Sequence, residues 1–149
     1  MVDDVLIERL CSDIRANVQL LREAKDITWE VYCRDPRSRR FVERTLHILV
    51  ETCIDIAHHI ISDERFEEPG SYGEAFRILA AHGILPAEEA GIYERMARFR
   101  NLLIRYDERI DDAVVFGVFK NHLHDFERYV AHIVNYLGKL KKGDSTAEP

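Results

Sequence analysis

Apolar residues recur at intervals of three and four through most of this chain, the spacing of one helix face rather than the alternation of a half-buried strand. Val5, Leu6, Leu10, Cys11, Ile14, Val18 and Leu21 form such a stripe and predict a first helix from about Asp3 to about Lys25. Asp3 and Asp4 suit its positive end. Trp29 and Tyr32 lie in the segment Asp26 to Arg34, which leads to Asp35-Pro36, a helix-start pair with proline in the first turn. A long second helix is expected from Pro36 to about Ser62, with Phe41, Leu46, Leu49, Val50, Cys53, Ile54, Ala57, Ile60 and Ile61 on a broad apolar face.

Polar residues from Asp63 and the pair Pro69-Gly70 then signal a loop. Ser71 can cap a short helix carrying Tyr72, Phe76, Ile78 and Leu79, which Gly83 should end. Pro86, Glu88 and Glu89 suit the start of another helix, buried along Ile92, Met96, Phe99 and Leu103. The acidic stretch Asp107 to Asp112 reads as a turn. Val114 to about Leu140 reads as one last long helix, ending in Lys139, Lys141 and Lys142, and Gly143 to Pro149 as a flexible tail. Helices of these lengths with short links pack antiparallel. The expected fold is all-α: residues 1–142 as a single domain, an antiparallel bundle of four main helices plus one short helix.

Composition narrows the function more than the fold. At 149 residues and 46% hydrophobic, the chain can bury one sizeable core. A formal charge of −6 argues against a general nucleic-acid coat protein, which needs clustered cations to displace counterions, but leaves room for a local basic site. Cys11, Cys33 and Cys53 are odd in number and widely spaced, suggesting reduced thiols. The amino terminus lacks the pattern of a signal peptide and no apolar run approaches a membrane span, so a soluble cytoplasmic protein without membrane association is expected.

The candidate chemistry concentrates in Phe99-Arg100-Asn101-Leu102-Leu103-Ile104-Arg105-Tyr106, where an Arg-Asn pair sits near the end of an apolar helix. This segment resembles the Arg-Asn-x-x-x-His-x-Tyr motif of the HEPN-domain, HepT-like ribonuclease toxins. Further resemblance lies in Val42 to Leu46 with Cys53 to Ile61, in Gly70 to Phe76 with Leu79 to Leu85, and in Asp125 to Arg128, covering roughly Arg37 to Val134. It implies the HEPN fold and a toxin of a toxin-antitoxin pair. The implied activity is metal-independent, cofactor-free RNA cleavage at a homodimer cleft, with a minimal nucleotidyltransferase antitoxin as partner.

The resemblance makes Arg100 the cation for phosphate, Asn101 an orienting group and Tyr106 the acceptor of AMP from the antitoxin. Arg105 stands at the histidine position; in ungapped register Asp107 takes the tyrosine position, and a one-residue shift restores Tyr106 but no histidine. Arginine binds phosphate but does not readily exchange a proton. A non-catalytic HEPN binding module is therefore the alternative to an endoribonuclease. Without the resemblance, Arg100 would be read as a solvated helix residue paired with Glu94 or Asp107.

Other groupings compete. Glu51, Asp55 and His58 share one side of a helix and resemble half of a carboxylate-bridged metal site, with Glu88, Glu94 and His132 as further ligands in a helical-bundle metalloprotein. His58, His59, His122 and His124 are candidate stand-ins for the missing histidine. Arg37, Arg39, Arg40 and Arg44 form a basic group that either attracts RNA or pairs with nearby carboxylates.

Overall fold

The computed structural model describes residues 1–104 and 110–147, the last four as main chain only. Seven α-helices are present among them: α1 (Asp4–Glu23), α2 (Trp29–Arg34), α3 (Pro36–Asp63), α4 (Tyr72–Ala81), α5 (Ala90–Leu103), α6 (Asp112–Asn121) and α7 (Leu123–Ala147). They form the expected antiparallel bundle, with α1, α3, α5 and α7 as its main members. Helix α3 is central and packs against the other six.

Burial follows the periodicity with a corrected phase in α1. Ile7, Cys11, Ile14, Val18 and Leu21 face the core, a strict alternation of four- and three-residue steps, whereas Val5 is 75% exposed. Ile7 therefore takes the inward position that the sequence reading gave to Val5. In α3, Leu46, Leu49, Val50, Cys53, Ile54, Ala57, Ile60 and Ile61 are all buried; Phe41 lies at the exposed edge. Cys11 and Cys53 are buried free thiols and Cys33 is an exposed one. Burial pushes the Cys11 thiol up to about 11, consistent with an inert core residue.

Two elements depart from the expected list. The Trp29–Arg34 segment is a helix in its own right, because Thr28 accepts from the Val31 amide at 3.2 Å and Tyr32 is completely buried. The last helix is interrupted at His122, whose φ of −126° and ψ of 14° break the α-helical path. Asp125 then lies in the first turn of α7, where its charge suits the positive helix end. Helix α7 also continues through Ala147, past Gly143 where a tail was expected.

Helix ends place the functional segment. Asp35 caps α3, with its side chain accepting from Arg37 and Pro36 following at the first position. Ser71 caps α4 by accepting from the Glu74 amide at 3.1 Å, and Gly83, at φ 77°, turns the chain after it. A short 3-10 turn at Ala87–Glu89 leads into α5. That turn is tied down by Glu89, which meets Tyr93 at 3.3 Å, His132 at 2.8 Å and Arg128 at 3.5 Å. Among the described residues, no helix is long and apolar enough to cross a membrane.

Candidate functional site

Arg100 lies in the last turn of α5 and its side chain crosses to the middle of α3. Its Nε donates to Glu51 Oε1 at 2.7 Å, and its guanidinium carbon sits 4.6 Å from the centroid of the Tyr72 ring. The carboxylate fixes the arginine from one side and the aromatic face supports it from another, the two partners to which a planar cation is suited. Arg100 Nη1 also approaches Asn101 Oδ1 at 3.5 Å. The Arg100 side chain is 20% exposed, so it is held without being sealed from solvent.

Glu51 serves two partners through one oxygen. His47 Nε2 lies 3.2 Å from the same Oε1, and Arg44 Nη1 lies 3.4 Å from His47 Nδ1. Burial pushes the Glu51 carboxyl up, but the hydrogen bonds from Arg100 and His47 and the positive charge of Arg100 outweigh it and leave Glu51 below the ordinary glutamate value. Its charged form is thus favoured. Arg44, His47 and Glu51 follow one another at steps of three and four along α3, so the helix aligns them on one face. Beside this group, Ser71, Tyr72, Gly73, Arg77, Arg98 and Asn101 help line a cavity of about 220 Å³.

The candidate residues sort clearly. Arg100 and Asn101 are together at the end of α5, while Arg105, Tyr106 and Asp107 lie outside the described residues. Glu94, one alternative partner for Arg100, instead meets Arg77 at 3.1 Å. The carboxylate that holds Arg100 comes from α3, a relation no local spacing on α5 could reveal. Glu51 is turned to Arg100 and His47 rather than to Asp55 and His58, and His132 is engaged by Glu89. Among the described residues no three His, Cys, Asp or Glu side chains converge as metal ligands.

The four candidate histidines take different places. His58 packs its ring 5.9 Å from that of Tyr72, the residue that supports Arg100; His59 is exposed on α3. His122 and His124 flank the carboxylate of Asp125, at 3.4 Å and 3.3 Å. His122 and Asp125 belong to a different, largely apolar groove of about 420 Å³ between α5 and α6, lined also by Met96, Phe99 and Val118. In the basic group, Arg39 donates to the carbonyls of Tyr32 and Cys33, both at 3.3 Å, while Arg37, Arg40 and Arg44 are exposed. His47 and Tyr72 were the residues missed as site members; the His47–Glu51 spacing of four was the available signal.

The helical bundle presents an Arg-Asn pair at the end of α5, braced from α3, the arrangement that the resemblance to HEPN-domain proteins implies. The chain belongs to the HepT-like ribonuclease family, whose description reads "Ribonuclease HepT-like" and whose model matches residues 14–133. The mRNA nuclease HepT of Shewanella oneidensis is 29% identical over 80 residues, 54% of this chain and 60% of that relative. The tRNA nuclease HepT of Aphanizomenon flos-aquae is 27% identical over 141 residues, 95% of this chain and 96% of the relative. Among solved structures, YutE of Bacillus subtilis superposes with a TM-score of 0.80 at 20% identity, covering 93% of this chain and 92% of its own. The tri-AMPylated HEPN toxin of Shewanella oneidensis, solved in complex with MNT antitoxin, gives 0.79 at 23% identity, covering 91% and 99%.

Proposed function

We propose that this protein is the toxin of a toxin-antitoxin pair and a metal-independent endoribonuclease, acting in the cytoplasm as a homodimer with Arg100 and Asn101 lining the cleft. The observation that carries the reading is the bracing of Arg100 between Glu51 and Tyr72, which presents a fixed, partly exposed cation beside Asn101. RNA cleavage by its own 2′-hydroxyl builds negative charge on the phosphate, and a preorganised guanidinium stabilises that charge without having to reorganise. The two HepT relatives, an mRNA nuclease and a tRNA nuclease, support RNA as the substrate class. The antitoxin complex of the Shewanella neighbour supports a minimal nucleotidyltransferase partner, with Tyr106 as the residue that would accept AMP.

Arg105 adds a second cation to the segment and offers phosphate binding in place of proton transfer. That substitution favours a second reading, in which the same bundle binds RNA or its partner without turnover. The test is cleavage of single-stranded RNA by the purified protein in the presence of chelator. Cleavage that disappears in Arg100→Ala supports the nuclease; intact RNA together with a stable nucleotidyltransferase complex supports the binding module. Cleavage unchanged by Arg100→Ala overturns the assigned role of Arg100.

A further inference from the structure

We propose that His47 is the proton-transfer residue of this site, acting as the general base that the Arg100 segment itself lacks. The inference rests on the nuclease reading above and supplies its missing part. His47 and Arg100 reach the same atom, Glu51 Oε1, at 3.2 Å and 2.7 Å, although they come from different helices. A histidine is therefore already built into the arginine site, one helical turn along α3 from its carboxylate. His58, by contrast, packs its ring beside that of Tyr72, and His122 and His124 are engaged with Asp125.

The partners of the ring fix its tautomer. Arg44 has only donors to offer, so His47 Nδ1 must accept from Arg44 Nη1 in the neutral ring. Glu51, held as a carboxylate, accepts, so Nε2 carries the hydrogen and donates to it. A carboxylate behind an imidazole orients it and stabilises the imidazolium that forms when the opposite nitrogen takes a proton. Nδ1 is that opposite nitrogen. Its contact with Arg44 is long at 3.4 Å, Arg44 is exposed and the His47 side chain is 25% exposed, so an incoming hydroxyl can replace the arginine there.

Arg44 then has a phosphate to bind. Arg37, Arg40, Arg44 and His47 lie at steps of three and four on one face of α3, an exposed cationic track that leads to Glu51 and Arg100. In the step assigned here, the RNA 2′-oxygen bonds to phosphorus while the bond from phosphorus to the 5′-oxygen breaks. The 2′-hydroxyl proton passes to His47 Nδ1. The departing 5′-oxygen takes a proton from water, leaving a 2′,3′-cyclic phosphate and a 5′-hydroxyl, and His47 later returns its proton to solvent. No metal, oxidant or reductant enters the balance.

The experiment measures kcat and KM for the full-length protein on a single-stranded RNA oligonucleotide with chelator, across roughly pH 5 to pH 9, the range in which histidine titrates. His47→Gln should lower kcat by about 100-fold or more, the usual contribution of a general base, with KM little changed and the acid limb of the pH profile lost. His124→Gln, whose ring lies beside Asp125 instead, should match the wild type. His47→Ala should recover part of its rate with added imidazole, a readout that requires a folded site. Equal cleavage and an equal pH profile for His47→Gln overturn the role of His47 alone. No cleavage by the wild type overturns the nuclease reading and this inference with it.

Discussion

The hydroxyl of Tyr129 on α7 donates a 2.8 Å hydrogen bond to the carbonyl of Cys53 in the middle of α3. The ring is fully buried, its centroid 5.5 Å from that of Tyr93 and 5.8 Å from that of Phe76 in a T-shaped pair, and burial holds its phenol far above the ordinary value, so it remains a neutral donor. Tyr129→Phe keeps the ring and removes this bond. The expected loss is about 1 kcal/mol, seen as a lower denaturant midpoint with an unchanged slope. A midpoint equal to the wild type would mean that the hydroxyl adds nothing to the α3–α7 contact.

Two helices end in the same hydrogen-bonded turn on different residues. After α4, Gly83 at φ 77° donates to Ala80 at 3.0 Å and Ile84 donates to Leu79 at 2.9 Å; after α3, Arg65 at φ 56° donates to Ser62 at 3.3 Å and Phe66 to Ile61 at 3.0 Å. Both are left-handed caps of the type that favours glycine. Nothing surrounds the position a Cβ would take at Gly83, so Gly83→Ala tests the backbone conformation without a clash. It should cost about 1 kcal/mol, the order of the left-handed penalty for a residue with a Cβ, measurable by thermal or denaturant unfolding. An unchanged stability would contradict the cap assignment.

That pair of turns illustrates how far the sequence can be read. Gly83 announces its turn because glycine is the residue that turn prefers, and Ser71, Asp35 and Pro36 announce helix starts for equally local reasons. Arg65 fills a left-handed position with a residue that carries no such signal, so the end of α3 had to be inferred from the polar run around it. The break at His122 is equally silent, lacking proline or glycine. For the site, the Arg-Asn pair is a local pattern and was visible. Its support was not: Glu51 and Arg100 are 49 residues apart, and which of several acidic residues meets the arginine is decided by how α3 packs against α5.

The pH dependence of that support has a definite sign. Glu51 has a folded value lowered beneath the ordinary 4.5; burial opposes the shift, while Arg100 and His47 produce it. A depressed carboxylate contributes stability that is fully present above the unfolded value and is lost as pH falls through the folded one. Glu51→Gln should therefore be less stable than the wild type at neutral pH, and the difference should shrink as the pH drops below that ordinary value. Denaturant midpoints of the two proteins across the acid range test this. A gap that stays constant to low pH would show that the charge of Glu51 is not what holds Arg100.

Tyr72 tests the other side of the arginine. Its place over Arg100 depends on the first turn of α4, which Ser71 caps, and on a ring face that carries negative potential. Phenylalanine has the same face, so Tyr72→Phe should keep the contact, whereas Tyr72→Ala should lose it. A double-mutant cycle between Tyr72→Ala and Arg100→Ala, read in unfolding free energy, should give a coupling of about 0.5–1 kcal/mol, as expected for a partly exposed cation over an aromatic ring. The same cycle started from Tyr72→Phe should give a similar value. Because the cycle reads stability, it measures the bracing of Arg100 whether or not the protein turns over RNA. Zero coupling would remove Tyr72 from the bracing of Arg100 and would predict that Tyr72→Ala does not alter cleavage.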